Sequence, residues 1–389
     1  MKNLYQQELQ GLKQKNLYRY LRVLEDPDGT HASFKGQGLL LFCSNDYLGL
    51  SRHPRVVKAA QKALKQYGVG AGAARLISGT TEAHKALEKK LARIKKKESA
   101  LVFATGFLAN LGILTAFAGE QDIIIMDKLC HASLVDGARL SKAELRVFPH
   151  KNYRKCEELL RGSRSARRRI LVTETVFSMD GDLADLKELV RLKEKYDAML
   201  VVDDAHGTGV LGVRGHGATE KGNLSKKIDV IMGTLSKAVG GLGGFVAADK
   251  ILIDFLVNFA RPFIFATALP PVLCSAAREA LCVIEEESFL RKKLWDNIHK
   301  VYRELLRLGF SVTKPESAII PVIIGDEGKA IEAFEKLLKQ KVFIPAVRYP
   351  TVPKGKARLR VTVSAAHTSR DIVKLTKAFA KIKSEEANP

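Results

Sequence analysis

The stretch Thr234-Leu-Ser-Lys-Ala-Val-Gly-Gly-Leu-Gly-Gly244 sets a lysine between small hydroxyl residues and a glycine-rich run. A lysine amine in water titrates near ~10.4, but burial or a cationic neighbour lowers that value and makes the amine a nucleophile able to form a Schiff base with an aldehyde. The apolar, β-prone Ile228-Asp-Val-Ile-Met-Gly233 runs directly into this stretch, so a strand is expected to deliver Lys237 into a cleft. Gly240, Gly241, Gly243 and Gly244 are expected to leave room for something bulky beside the backbone. On its own this is a weak signal, because most lysines beside glycine-rich loops are solvated surface charges.

A second stretch strengthens it. Met199-Leu-Val-Val-Asp-Asp-Ala-His-Gly-Thr-Gly-Val-Leu-Gly212 reads as an apolar strand ending in Asp203 and Asp204, followed by His206 and a glycine-punctuated turn. Between Asp203 and Lys237 there is room for one helix and one strand of an α/β unit. Pyridoxal 5'-phosphate needs such a pair: a lysine for its aldehyde, and a carboxylate that keeps the pyridine nitrogen protonated so that the ring can draw electrons. A phosphate site is also legible. Ser99-Ala-Leu-Val-Phe-Ala104 reads as a strand and Thr105-Gly-Phe-Leu-Ala-Asn110 as the turn into a helix, whose first N–H groups, on Gly106 and Phe107, suit an anion.

The elements that must position these groups follow from the remaining pattern. Strands are expected to end near residues 104, 126, 173, 203 and 233, each delivering polar residues, as at the carboxyl edge of a mostly parallel, doubly wound sheet. A helical pattern occupies residues 4–24, with Leu9, Leu12, Leu17, Tyr20, Leu21 and Leu24 available for one face, and Asp26-Pro-Asp-Gly29 ends it. The expected organisation is an N-terminal helical segment (1–45), a large domain (46–275) and a smaller C-terminal α/β domain (276–389). The chain's 46% hydrophobic and 27% charged residues are ordinary for a globular protein. No apolar run approaches the roughly 20 residues of a membrane-spanning helix, and the N-terminus lacks a signal core, so a cytoplasmic location is expected. The five cysteines form no C-x-x-C pair, and neither a disulfide framework nor a metal site is expected. The net charge of +22 suits coenzyme A phosphates or an acidic carrier protein. Its densest runs, Lys95-Lys-Lys97 and Arg161 to Arg169, contain no interleaved aromatics, so nucleic-acid binding is not expected and a basic scaffold is a distant alternative.

With these motifs in this order, the chain from Leu17 to His367 resembles the fold-type I pyridoxal-phosphate transferases, and within them the α-oxoamine synthases. The resemblance implies a homodimer and an α/β fold with a large cofactor-binding domain. It implies that Lys237 binds the cofactor and then acts as general base, that Asp203 faces the ring nitrogen, and that His131, in Cys130-His-Ala-Ser-Leu134, stacks on the ring. Glu174 and Ser178, in Arg169 to Gly181, together with His206 and Thr234, match cofactor positions. Thr267, in Phe259 to Pro271, matches a hydroxyl that reaches the neighbouring subunit's phosphate. On the substrate side the resemblance implies Arg19, Asn45, Arg348, Thr351 and Arg360, the last as the clamp on an amino-acid carboxylate. Arg22 lies close enough to exchange places with Arg19.

The implied reaction is a decarboxylative condensation of an amino acid with an acyl thioester of coenzyme A or carrier protein. Asp204 to Gly212 and Tyr349 to Arg360 look most like family members that join L-alanine to a pimeloyl thioester in biotin biosynthesis, although Tyr349 stands where proline is expected. Leu17-Tyr-Arg19 and Val239-Gly-Gly241 lean toward members that acetylate glycine.

Overall fold

A computed structural model of the chain describes residues 2–387. Met1, Asn388 and Pro389, at the ends of the expected terminal segments, lie outside the described residues. The chain divides into two compact units, one of residues 50–178 and 182–291, the other of residues 1–49, 179–181 and 292–389.

The first unit is built on a seven-stranded sheet: β1 (Ser99–Phe103), β2 (Ile123–Asp127), β3 (Glu144–Phe148), β4 (Arg169–Glu174), β5 (Met199–Asp203), β6 (Val230–Thr234) and β7 (Gly244–Ala248). Their order across the sheet is β1-β7-β6-β5-β4-β2-β3. β3, β2, β4, β5 and β6 pair in parallel, and β7 runs antiparallel to both β6 and β1. β1 therefore points the same way as the parallel strands, and six of the seven carboxyl ends fall on one edge. They end within a residue of the positions expected for five of them.

Period-two alternation sends successive side chains to opposite faces. Ile124, Met126, Ile170, Val172, Val201, Val230 and Met232 pack on one face with helices Gly106–Phe117, Ala132–Leu140 and Lys250–Phe259. Ile123, Ile125, Leu171, Leu200, Val202 and Ile231 pack on the other with helices Tyr153–Arg161 and Leu186–Tyr196. Burying each such side chain contributes about 1.5–3 kcal/mol, which is why both faces must be covered and the strands read as continuous apolar runs.

The glycine run after Lys237 serves a different purpose from the one expected. Gly240 has φ +75°, and a Cβ there would come within 2.3 Å of the Ser51 backbone nitrogen; a Cβ on Gly244 would come within 2.5 Å of the Thr105 carbonyl oxygen. The bulky neighbour of these glycines is the protein's own backbone.

The second unit holds an antiparallel sheet of Ile319–Gly325, Ala357–Thr362 and Ala346–Val347, with Ala357–Thr362 in the centre. A second sheet pairs the hairpin His31–Phe34 and Gln37–Leu41 with Val342–Phe343. The N-terminal helix is shorter than its sequence pattern, spanning Lys2–Gln14 with no buried residue. Asn16 takes φ 57°, and Leu21 beyond it is 98% exposed. Among the described residues nothing buries the apolar positions of this helix, and helices without a packed face are marginal.

Basic residues at 95–97 form no solvated patch. Lys95 is fully buried and its Nζ donates to Asp204 Oδ2 (2.7 Å), Thr208 Oγ1 (2.8 Å) and the His216 carbonyl (2.6 Å). Asp204 Oδ1 accepts from Thr175 Oγ1 (2.7 Å) and the Ala218 N–H (3.2 Å). Removing one partner of such a pair leaves an uncompensated buried charge. Lys95→Met is expected to lower stability by about 3–5 kcal/mol in urea unfolding, with Lys95→Met/Asp204→Asn recovering part of it. A loss below about 1 kcal/mol would show that the pair is not an anchor.

Candidate active site

β4, β5 and β6 bring most of the expected cofactor residues to one edge of the first unit. Asp203 closes β5 and sits in register with Glu174 at the end of β4. Its Oδ1 accepts from the Ala205 N–H (2.9 Å) and its Oδ2 from Asn110 Nδ2 (2.8 Å). Among the described residues no cationic side chain forms an ion pair with it. Two donors and burial without a cation describe a carboxylate prepared for a positive partner.

Glu174 is its counterpart. Burial first, and then the Asp203 charge beside it, push its carboxyl well above the usual range, against the pull of Lys237. Its Oε1 has no hydrogen-bond partner among the described residues. Two neighbouring carboxyls ionise less readily than one, which is the direction of this shift.

The segment after β6 places Lys237 Nζ 2.8 Å from His206 Nε2, on the turn after β5. Thr234 closes β6 and its hydroxyl bonds the Gly243 carbonyl (2.9 Å), which pins the two ends of the lysine loop. Gly106 and Phe107 open the helix after β1, where Thr105 caps the Leu108 N–H (3.1 Å). His131 caps helix Ala132–Leu140, and the Phe107 ring meets it edge-on at 6.4 Å. Burial above all holds the His131 imidazole below its usual pKa, with Lys237 acting in the same direction and Asp203 and Asp136 opposing. Ser178 is buried. Thr267 is exposed and pairs with Ala74 in an isolated bridge.

The expected substrate residues belong to the second unit. Arg358 and Arg360, two apart on strand Ala357–Thr362, share a face. Arg358 Nη1 bonds Asp180 Oδ1 (2.7 Å) and the Met179 carbonyl (3.0 Å), whereas Arg360 donates to Asn45 Oδ1 (3.2 Å) and the Tyr47 hydroxyl (3.4 Å). Arg19 Nη2 donates to the Tyr349 carbonyl (3.3 Å), and Arg348 to the carbonyls of Asn16 and Tyr18. The two guanidiniums are close enough that Arg19, after burial, lowers the Arg348 pKa. The Thr351 N–H bonds the Arg348 carbonyl (3.0 Å). Arg22 instead lies over the Phe334 ring at 4.7 Å.

Four residues were not singled out by sequence: Lys95 and Asp204, which anchor the turn carrying His206, and Asn110 and Ser133, which join His131 to Asp203. Asn110 left a trace, as a lone amide in the otherwise apolar run Leu108 to Leu114.

Comparison with known proteins agrees with this geometry. The family model described as aminotransferase class I and II matches residues 37–379. The 8-amino-7-oxononanoate synthase of Thermoanaerobacter pseudethanolicus is 46% identical over 97% of this chain and 95% of its own. A serine palmitoyltransferase variant of S. paucimobilis, solved with a pyridoxal-phosphate–myriocin aldimine, superposes with a TM-score of 0.94 at 30% identity, covering 98% of this chain and 97% of that one. An 8-amino-7-oxononanoate synthase of Francisella tularensis superposes with a TM-score of 0.78 at 29% identity, covering 90% of this chain and 99% of that one. The chain belongs to the class I and II aminotransferase family of fold-type I pyridoxal-phosphate enzymes, within its α-oxoamine synthase branch.

Proposed function

We propose that the chain joins L-alanine to a pimeloyl thioester with loss of carbon dioxide and of the thiol, giving 8-amino-7-oxononanoate in biotin biosynthesis. The observation that carries this reading is the buried Asp203 carboxylate, supplied with donors but, among the described residues, with no cationic side chain paired to it, one strand away from the segment of Lys237. That donor set fits pyridoxal 5'-phosphate. When bound, the cofactor supplies an aldehyde for an amine and a ring that draws electrons from the carbon beside it.

Lys237 would hold the aldehyde through its amine and, once the amino acid has replaced it, take the α-proton at Nζ. Asp203 would keep the ring nitrogen protonated. His131 would pack on the ring face, and His206, Ser178 and Glu174 would line the ring's edge. The N–H groups of Gly106 and Phe107, with Thr234, would bind the phosphate at the helix start. Arg360, beside Asn45, would take the alanine carboxylate in a bidentate grip. Thr267 would reach the phosphate of a second copy. The exposed apolar residues Val69, Ile77 and Phe265, around the Ala74–Thr267 bridge, support a homodimer with shared sites. The five free cysteines accord with a reducing, cytoplasmic setting.

The relative from T. pseudethanolicus, named 8-amino-7-oxononanoate synthase, supports the choice of product. Borohydride reduction of the yellow protein should fix the cofactor on Lys237; a peptide map placing it on another lysine ends the reading. Asp203→Asn should keep cofactor absorbance while kcat falls by at least about a hundredfold. Near-normal turnover would mean that a different carboxylate serves the ring.

A pimeloyl chain ends in a carboxylate or its ester, and an acetyl group has no polar end. Arg19 and Arg348, held together by the backbone of residues 16–18 and 349, suit the long substrate. Arg348→Ala or Arg19→Ala should lower kcat/KM for pimeloyl thioester by roughly tenfold to more than a hundredfold, the loss of a charge-assisted bond of about 1.5–3 kcal/mol. Spectral titration with alanine should stay near wild type. Should the wild type prefer glycine and acetyl thioester, the chain is a glycine acetyltransferase instead.

A further inference from the structure

A carboxylate only accepts hydrogen bonds, so the Asn110 atom 2.8 Å from Asp203 Oδ2 must be the amide nitrogen. Its second hydrogen is directed to Ser133 Oγ at 2.9 Å. Accepting there leaves Oγ its proton and a second lone pair, so the direction of its 2.8 Å contact with His131 Nδ1 is set by whether Nδ1 accepts. The Ser133 backbone N–H, a donor by nature, also meets Nδ1, at 3.2 Å. Every link thus has a fixed direction, set at one end by the Asp203 charge and at the other by a main-chain donor. Asn110 Oδ1 is buried without a partner among the described residues. Burying an unpaired acceptor is costly, so the amide's orientation is dictated by its two donor bonds.

We propose that Asn110 and Ser133 are positioning residues that hold His131 as the neutral tautomer protonated on Nε2 and tie its ring to Asp203. A proton on Nδ1 would face the Ser133 N–H and force the hydroxyl to reverse, so both the other tautomer and the imidazolium are disfavoured. The charged groups acting on the ring are Asp203 and Asp136, which favour the imidazolium, and Lys237, which together with burial opposes it. Resting on the function assigned above, the consequence is a division of labour: His131 offers an N–H to the reacting groups, and proton abstraction falls to Lys237.

The test is nuclear magnetic resonance of the cofactor-loaded full chain with ring-15N histidine, the His131 signals being assigned by their loss in His131→Asn. Wild type should show a bare Nδ1 and a protonated Nε2 at neutral pH. Ser133→Ala should mix the tautomers and raise the His131 titration midpoint by about one pH unit, the effect of losing one hydrogen bond to the neutral form. Ser133→Thr should restore both. Asn110→Leu should shift the midpoint in the same direction; if it does not fold, the Ser133 pair decides alone. A wild-type His131 that is protonated on Nδ1 or charged at neutral pH overturns the proposal, as does a Ser133→Ala protein with unchanged tautomer and midpoint. The expected spectra from a protein that makes no product would support this inference and sink only the reaction assigned above.

Discussion

The ion pair between Lys95 and Asp204 fixes the turn on which the cofactor-side chemistry depends. Both side chains are fully buried, and Coulomb attraction alone does not offset the desolvation of two such charges. What makes the pair tenable is that Thr208, the His216 carbonyl, Thr175 and the Ala218 N–H satisfy the remaining donors and acceptors. The pair therefore closes the loop from Asp204 to Ala218 into a rigid body. Asp203 immediately precedes this loop and His206 lies within it, so the charge pair also bears on where Asp203 and the imidazole beside Lys237 Nζ lie.

Next to that anchor, two carboxyls of the same chemistry have different surroundings. Asp203 receives donors on both oxygens, while Glu174, directly across the strand pair, keeps one oxygen without a partner among the described residues and has its pKa raised. Lys237 pulls Glu174 toward ionisation, but burial and the Asp203 charge outweigh it.

The strands and their ends were legible because burial on both sheet faces forces continuous apolar runs, and because polar residues can only appear where a strand leaves the core. Lys237, Asp203 and the helix start at Gly106 follow from that rule. Lys95 did not, since three consecutive lysines at a helix end look solvated until residues more than a hundred positions later supply a buried anion and two oxygens. The N-terminal helix was overextended because periodicity reports a face but not whether anything covers it. The glycines near Lys237 were recognised as close-approach sites, yet which backbone approaches them is a tertiary fact.

The two arginines of strand Ala357–Thr362 show the same limit at the scale of one pair. Period two puts Arg358 and Arg360 on one face, and nothing local distinguishes them. Asp180, which joins this unit through the short excursion of residues 179–181, matches the charge of Arg358 and adds the Met179 carbonyl. Arg360 meets the neutral oxygens of Asn45 and Tyr47, and burial keeps the Tyr47 phenol protonated by raising its pKa. The chain segment that pairs with Arg358 lies far away in sequence.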